Sequence, residues 1–197
     1  MIYGTHNSAT GGELLWWLKP LAWIINPTSK CQDRTIAQQL VDEVRWFNLQ
    51  VAYYKNKWRF SHGLALYKED VLKTLEMLCN FATAKNPIYV QVYLDKCFWC
   101  KQNHNEYLKL ISLLNKLHEH NEYFSTQSLL IEGTSITLVP QTSISGEEHY
   151  WTLSWAKGRK FLDRFPLPRR HASKYNKVYT KNCSSDYLML DFYNKYR

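Results

Sequence analysis

Several features of non-globular and membrane-spanning chains are absent from this sequence of 197 residues. It has no low-complexity tract and no internal repeat at a solenoid period, which argues against a disordered chain and a repeat architecture. The longest apolar stretch, residues 14–25, is interrupted by Lys19 and Pro20 and is too short to cross a bilayer. No basic segment followed by a long apolar run opens the sequence, so it shows no secretory signal. We therefore expect one folded domain over residues 1–197, cytoplasmic or membrane-peripheral by default.

Acidic residues are in deficit, with 17 Asp and Glu against 25 Lys and Arg and a formal net charge of +8. This imbalance predicts an acidic partner, which charge alone leaves open among a nucleic acid, an anionic membrane surface and a phosphorylated substrate. The 8 Trp and 14 Tyr residues suit a membrane interface or a stacking platform as well as a core.

Cysteine is scarce for a protein that depends on disulfides. The five cysteines are an odd number, and a chain of this length can fold without a disulfide framework. We expect them to be mainly reduced. Cys97 and Cys100 have metal-site or redox spacing, and His104 follows, but no second such motif completes a tetrahedral site. His118 and His120 would contribute only by folding back. Zinc binding and redox pairing are therefore minor alternatives to plain cysteines on a loop or helix start.

Apolar periodicity predicts strands that alternate with helices along most of the chain. One strand is expected to end at His6, and others are expected over residues 45–51, 58–63, 88–94 and 187–192. Further candidates lie at 128–131, 135–139 and 150–155. Helices are expected over 12–25, bent at Pro20, and over 35–44, 68–85 and 106–118. The alternation is typical of an α/β fold with a parallel sheet. Because a full β/α-barrel has about 250 residues, we expect a distorted or reduced TIM-type barrel.

Polar side chains follow several of these strands at their carboxyl ends, namely His6, Gln50, Asp95 and Asp191. That edge is where a β/α-barrel places its chemistry, so residues far apart in sequence converge there. His62 ends another strand-like segment and precedes a glycine that lets a ligand approach the backbone. Two histidines on one rim can take a proton from an attacking hydroxyl and give one to a leaving oxygen.

Four segments resemble, in order, the motifs of the phosphatidylinositol-specific phospholipase C X-domain family within the phospholipase C-like phosphodiesterases. They read GTHNS at 4–8, RWFNLQV at 45–51, WRFSHG at 58–63 and LDF at 190–192. The resemblance covers about residues 1–96 and is local again near Asp191. It implies a distorted β/α-barrel that cleaves a glycerophosphoinositide, either without metal or with calcium, and uses the inositol 2-hydroxyl as internal nucleophile.

The resemblance also assigns roles. His6 matches the family's general base, His62 its general acid, and Asp191 the carboxylate that orients the base and stabilises the imidazolium. Asn7 stands where metal-independent members have an aspartate beside the general acid, and where calcium-dependent members have an asparagine as a metal ligand. We expect His6, His62 and Asp191 in one cleft, with Asp191 within hydrogen-bond reach of His6.

The chain departs from both versions of the family at the phosphate. Bacterial members end the second motif strand with an arginine that neutralises the phosphate, whereas this chain has Asn48 and Gln50. Calcium-dependent members carry carboxylates at those positions and one more, which only Asp95 matches. Asn7, Asn48, Gln50 and Asp95 are then candidate phosphate or substrate ligands that supply one charge, so calcium binding is weak at most and no metal is expected. Substitute cations would be Arg59, Lys96 or Arg164, of which we favour Arg164.

Residues 14–25 carry three tryptophans, Trp16, Trp17 and Trp23, with few charges. One interpretation is a helix that covers the barrel. The other is an element that dips into lipid headgroups, because tryptophan and low charge suit an interface and the family tends to have an interfacial helix here. With a positive net charge, docking on an anionic bilayer would be favourable and sensitive to salt.

Three hypotheses follow. The first is a phosphoric diester hydrolase that acts on a phosphoinositide or related phosphodiester lipid. The alternative is a phosphate- or membrane-binding module that keeps the barrel but is catalytically weakened. The third is a nucleic-acid binder, which we do not expect because one basic segment without a binding motif supports it. That segment contains Arg164, Arg169, Arg170 and His171, with Tyr175 and Tyr179 nearby.

Overall fold

Seven strands share one sheet in the computed structural model of the chain, which describes residues 2–101, 103–129, 167–170, 172–173 and 187–196. The strands are β1 (Ile2–Thr5), β2 (Trp46–Tyr54), β3 (Lys57–His62), β4 (Ala65–Asp70), β5 (Ile88–Leu94), β6 (Phe124–Leu129) and β7 (Tyr187–Leu190). Five of them run parallel in the order β7, β1, β2, β5 and β6. Within the described residues the sheet does not close between β6 and β7. The fold is therefore the expected α/β architecture of TIM-barrel type, in a distorted form.

Strand β2 is longer than β1, and this difference positions the site. Along one edge β2 pairs with β5 from Trp46 to Val51. Along the other edge its first residues pair with β1 and its last residues pair with β3, which runs antiparallel to it. Strands β1 and β3 therefore approach the middle of β2 from opposite directions. Strand β4 completes the hairpin by pairing with β3.

The central strands have one apolar and one polar face, as period-two alternation requires. Phe47, Leu49 and Val51 of β2 belong to the buried core with alternate residues of β5 and with leucines of two helices. The opposite face carries Asn48 and Gln50, paired in register with Gln91 and Tyr93. Buried amides on that face, rather than further apolar side chains, prepare it for a polar site.

Five α-helices are described: α1 (Ala22–Ser29), α2 (Ile36–Val41), α3 (Val71–Phe81), α4 (His104–His120) and α5 (Tyr193–Tyr196). A capping box begins α2, since the side chains of Thr35 and Gln38 accept from each other's backbone N–H groups. The side chains of Asp70 and Asn103 accept bonds at the starts of α3 and α4. None of the described helices is long and apolar enough to cross a membrane.

The predicted helix over residues 12–25 is wrong in its first part. Leu14 forms an isolated antiparallel bridge with Tyr67, and only a short 3-10 turn, Lys19–Leu21, precedes α1. The reason is that residues 13–15 bond to the hairpin, since Leu15 N–H donates to the Leu66 carbonyl and Lys68 N–H donates to the Glu13 carbonyl, and residues 16–18 then turn. Pro20 then lies in the turn, where a fixed φ is favourable.

Other boundaries differ as well, since α2 ends at Val41 rather than at 44 and α3 ends at Phe81 rather than at 85. Strand β4 was not expected, and helix α3 begins at Val71 rather than Lys68 because residues 65–70 pair with β3 before Asp70 caps the helix. Strand β6 begins at Phe124, four residues before the expected start at Ser128. The strand candidates at 135–139 and 150–155 lie outside the described residues.

Candidate active site

Three strands end at the candidate catalytic residues, and each turns sharply at the next residue. Asn7 follows His6 with φ 46°, Gly63 follows His62 with φ 60°, and Phe192 follows Asp191 with φ 45°. Left-handed backbone at a non-glycine residue is uncommon and costs free energy, and such residues concentrate at functional sites. The turns stop each strand where its last side chain reaches the common cleft.

His6 and Asp191 are neighbours because β1 and β7 are parallel and in register, with Thr5 opposite Leu190. The His6 Nδ1 atom lies 3.2 Å from Asp191 Oδ1, and the carboxylate is almost fully buried while His6 is 23% exposed. The side-chain amide of Gln32 ties the pair together, since Nε2 donates to the backbone carbonyls of His6 and Leu190. The carboxylate therefore fixes the ring orientation of a histidine that still reaches solvent.

His62 faces His6 across the cleft, with ring centroids 6.4 Å apart and planes at 82°. Its Nδ1 atom lies 2.7 Å from the carbonyl oxygen of Ser29, at the end of α1. Burial lowers the pKa of His62, and the charge of His6 lowers it further, while the Ser29 carbonyl opposes the shift. The neutral ring is accordingly the favoured form of His62 when the cleft is empty of substrate.

Asn7 lies between the two rings. Its Nδ2 atom is 3.2 Å from the Nε2 atom of His6 and 3.2 Å from that of His62. The same Nδ2 atom is 3.4 Å from His6 Nδ1 and 3.5 Å from His62 Nδ1, so it is close to both nitrogens of each ring. The two rings therefore border one position, which the Asn7 amide occupies.

The candidate phosphate ligands are placed differently from one another. Asn48 accepts the backbone N–H of Asn7 with Oδ1 and donates to Gln91 with Nδ2, so its amide supports the turn after His6. Gln50 shares that face of β2, opposite Tyr93. Burial raises the pKa of Tyr93 to about 12, so a neutral phenol rather than a charge lies beside Gln50. This part of the cleft is lined by neutral dipoles.

Asp95 follows β5, and its Oδ2 atom accepts the backbone N–H of Gly63 at 3.0 Å. This bond fixes the turn directly after His62. The Asn48 oxygen likewise accepts from Asn7, so two of the four residues compared with a calcium site bond the turns after His6 and His62.

Of the three candidate cations, the two that the structure describes lie on different parts of the sheet. Arg59 donates to the backbone carbonyl of Lys68 on the hairpin. Lys96 is exposed directly after Asp95. Arg164, which the sequence favoured, lies outside the described residues.

Sequence analysis missed Cys31, which is fully buried in the loop between α1 and α2. Its Sγ atom lies 3.6 Å from Asn7 Nδ2 and 3.9 Å from His62 Nδ1. Burial raises the pKa of the Cys31 thiol well above its usual range, and the nearby Asp191 carboxylate raises it further. No motif spacing marked Cys31, because a loop residue reaches the site through tertiary packing alone; Gln32 and Ser29 escaped notice for the same reason.

The three tryptophans of the segment 14–25 differ in their exposure to solvent. Trp16 is 80% exposed and Trp23 is 76% exposed. Trp17 instead packs inward, with its ring 5.1 Å from that of Trp99 and 6.2 Å from that of Tyr54. Trp99 donates to the carbonyl oxygen of Leu64, two residues after His62, which connects the exposed segment to the cleft.

Beside Trp99, the ring of Phe98 is 72% exposed and lies edge-on to it at 4.8 Å. The flanking Cys97 and Cys100 thiols are hydrogen-bonded to each other, which lowers the pKa of Cys97 and raises that of Cys100. Among the described residues they do not gather a metal-binding group with His104, and His118 contacts the carbonyl of Phe124 instead.

Of the basic segment considered for nucleic acid, Arg169 bonds Asp33 at 2.8 Å and lies over the ring of Phe192. Arg170 is exposed. His171, Tyr175 and Tyr179 lie outside the described residues. Arg169 therefore forms its ion pair within the chain itself.

Comparison with solved structures places this geometry in a known fold. A variant of the phosphatidylinositol-specific phospholipase C from Staphylococcus aureus aligns with a TM-score of 0.58 at 15% identity, over 97% of this chain and 84% of that chain. The phosphatidylinositol-specific phospholipase C from Listeria monocytogenes aligns with a TM-score of 0.58 at 16% identity, over 97% and 87%. The likeness is one of fold. No family model and no curated protein matches the sequence.

Proposed function

We propose that this chain is a phosphoric diester hydrolase of the phospholipase C type that cleaves a phosphoinositide-type lipid. The observation that supports it best is that two histidine rings border one position with their centroids 6.4 Å apart, with a buried carboxylate 3.2 Å from His6. A phosphodiester that carries a neighbouring hydroxyl needs one group to accept a proton and another to donate one. The fold likeness to two bacterial phospholipases C agrees with this assignment.

The reaction begins when His6 Nε2 accepts the proton of the inositol 2-hydroxyl. The hydroxyl oxygen forms a bond to phosphorus, and the bond from phosphorus to the glycerol oxygen breaks. His62, protonated on Nε2 once the anionic phosphate is bound, gives its proton to that oxygen. The products are a cyclic inositol phosphate and diacylglycerol. Asp191 stabilises the imidazolium that forms on His6 and keeps its Nδ1 proton in place.

Phosphate stabilisation is the weak part of this site. Asn48 and Gln50 offer amide dipoles where an arginine or a metal would neutralise developing charge, and loss of one such donor typically costs about 3 to 4 kcal/mol. Two oxygens compared with calcium ligands, Asn48 Oδ1 and Asp95 Oδ2, already accept hydrogen bonds from the turns after His6 and His62. We therefore propose a metal-independent reaction that is slow for its fold.

The substrate is proposed to be reached at a membrane surface. Trp16, Trp23 and Phe98 are the exposed rings of the two segments that flank the cleft. Such rings partition into headgroups, and a net charge of +8 favours an anionic bilayer. The S. aureus phosphatidylinositol-specific phospholipase C binds membranes. A structure of that enzyme concerned with modulation of this binding aligns with a TM-score of 0.57 at 14% identity, over 97% of this chain and 85% of that one.

The test is an assay on vesicles that contain phosphatidylinositol, with release of cyclic inositol phosphate as the readout. We expect turnover by the wild-type chain, the same turnover in a calcium chelator, and none for His6→Ala or His62→Ala. The matched control is His120→Ala, which removes an exposed histidine at the end of α4 and should leave the rate unchanged. Equal losses in all three variants would contradict a specific histidine pair.

A second candidate function is a phosphate- or membrane-binding module without turnover. It is favoured by the neutral lining of the cleft, where Gln50 lies beside a tyrosine of raised pKa and the Asn48 amide is engaged. Vesicle binding that depends on phosphatidylinositol, with no product from the wild-type chain, would support this function over the first.

A further inference from the structure

Three side chains of different chemistry meet at the base of the cleft. One ligand atom each of His6, Cys31 and Asp191 lies within 4.8 Å of the other two. Among the described residues, this is the group of three or more His, Cys, Asp or Glu side chains whose ligand atoms lie close enough to hold one metal ion. Cys31 and Asp191 are buried, whereas His6 is partly exposed and leaves a route from solvent.

The ligand types select a class of ion. A thiolate, an imidazole and a carboxylate suit zinc and similar thiophilic divalent cations, whereas calcium prefers oxygen ligands only. A thiolate and a carboxylate together carry two negative charges, which a divalent cation offsets with no net charge left in a buried site. Three protein ligands leave the fourth position of a tetrahedral ion open, as in catalytic zinc sites.

The distances agree with this choice. Two ligands on a tetrahedral ion with bonds of about 2.0 Å lie about 3.3 Å apart. His6 Nδ1 and Asp191 Oδ1 are already 3.2 Å apart. The remaining separations, at most 4.8 Å, require Cys31 to approach by about 1.3 Å at most, given a zinc–sulfur bond of about 2.3 Å.

Asn7 provides an independent observation. Its side chain is nearly fully buried, with Nδ2 facing His6, His62 and Cys31, while its Oδ1 atom has no hydrogen-bond partner. Rotation of the amide exchanges the two atoms and turns an unsatisfied oxygen toward the same cluster. A cation there would be given an oxygen ligand that the metal-free arrangement leaves unsatisfied.

We propose that His6, Cys31 and Asp191 bind a thiophilic divalent cation, for which Zn²⁺ is the probe, with Asn7 Oδ1 available to the same ion. Because the site includes the proposed general base, bound metal would stop the histidine-pair reaction; this second statement rests on the proposed function, whereas binding itself does not.

Binding is tested with the full-length chain after removal of metals with a chelator. Addition of Co²⁺ should give a thiolate-to-cobalt charge-transfer band and the strong visible bands of a tetrahedral ion, and Zn²⁺ should abolish them at one equivalent. Cys31→Ser should lose the charge-transfer band. The matched control, Cys97→Ser with Cys100→Ser, should keep it, because these thiols lie outside the cluster. Thermal unfolding of each variant checks that it is folded.

His6→Gln gives a second readout in case Cys31→Ser does not fold. It should weaken Zn²⁺ binding, measured by competition with a chromophoric chelator, by more than the roughly 10- to 100-fold that loss of an outer-shell partner costs. A charge-transfer band that survives in Cys31→Ser but disappears in the Cys97 and Cys100 double variant would overturn the proposal. So would a wild-type chain that binds neither ion.

The phosphatidylinositol assay separates the two failures. If Zn²⁺ binds through Cys31, lowers wild-type turnover and is reversed by a chelator, both proposals stand. If Zn²⁺ binds through Cys31 but no turnover occurs with or without a chelator, the proposed function fails and the metal site remains. If bound Zn²⁺ raises turnover, inhibition is wrong.

Discussion

At the scale of single residues, the site combines two histidines and a buried carboxylate with neutral amides. The Asn7 amide lies between the two rings, with Nδ2 within 3.5 Å of both nitrogens of each. Gln50 shares a strand face with Asn48 and supplies a dipole rather than a charge. The rate of the proposed reaction should therefore respond most to what replaces Gln50.

We expect Gln50→Arg to raise turnover on phosphatidylinositol, because a guanidinium adds a positive charge and a bidentate fork that an amide lacks. The gain should approach the roughly hundredfold effect of one oxyanion donor, less any loss from imperfect positioning. Initial rates on vesicles of fixed composition measure it. Gln50→Lys is the matched variant and should gain less, since it brings charge without the fork.

An unchanged rate in Gln50→Arg, together with loss of activity in His6→Ala, would mean that another cation already serves the phosphate. Absence of turnover in the wild type and in Gln50→Arg alike would favour the binding module.

Individual residues also show what the sequence could predict. His6, His62 and Asp191 could be predicted from the sequence because each ends a strand-like run, and parallel strands bring such ends to one edge. Cys31 and Gln32 could not be predicted, because their loop has no periodicity and its path over the ends of β1 and β7 depends on the completed sheet.

At the scale of elements, the segment from Leu14 to Ser29 joins the surface to the cleft. Its carboxyl end supplies the Ser29 carbonyl to His62, while Trp23 in its middle is exposed. Sequence alone indicated the aromatic content of this segment but not its conformation, because the bridge between Leu14 and Tyr67 is a tertiary contact that overrides helical spacing. Strand β4 was missed for a related reason, since its residues Ala65–Asp70 merge into the helix that follows.

Replacement of the exposed rings should separate membrane binding from folding. Trp16→Ala and Trp23→Ala should each weaken binding to anionic vesicles roughly tenfold or more, since a ring that inserts about 100 Å² gains about 25 cal/mol per Å². Their unfolding temperatures should stay near that of the wild type. Vesicle co-sedimentation and thermal unfolding measure the two effects.

Trp17→Ala is the matched control within the same segment. Its ring packs against Trp99 and Tyr54, so its loss should lower the free energy of unfolding by about 2 to 4 kcal/mol. Equal vesicle affinity in the wild type and in the Trp16 and Trp23 variants would contradict interfacial docking by this segment.

At the scale of the whole molecule, alternating strands and helices were enough to predict a parallel sheet and a distorted barrel. They did not predict that strand β3 of the hairpin β3–β4 would pair with the last residues of β2, because register between distant strands depends on which faces are buried together. That arrangement leaves His62 half-buried at the end of β3. Its burial has a consequence for stability.

Stability should fall as the solution is acidified below about pH 6.5, and His62 should account for part of the fall. Burial lowers the folded-state pKa of His62 below its unfolded value of about 6.5, with the charge of His6 adding to the shift and the Ser29 carbonyl, Asp95 and Asp191 opposing it. Protons then bind the unfolded state more strongly. The contribution of the neutral ring is complete above about pH 6.5 and is lost as pH falls toward the folded-state pKa.

Denaturant unfolding between pH 7.5 and 5.5 (roughly one unit to either side of the unfolded pKa) measures this slope. His62→Gln should unfold more easily at pH 7.5 but with a shallower pH dependence, so the two curves converge on acidification. The lowered pKa of Asp33, which Lys195, Arg169 and Lys30 hold down against desolvation, acts only below about pH 4, outside this window. His120→Ala, an exposed histidine, should keep the wild-type slope. Parallel curves for the wild type and His62→Gln would mean that the buried ring takes up its proton as readily in the folded chain as in the unfolded one.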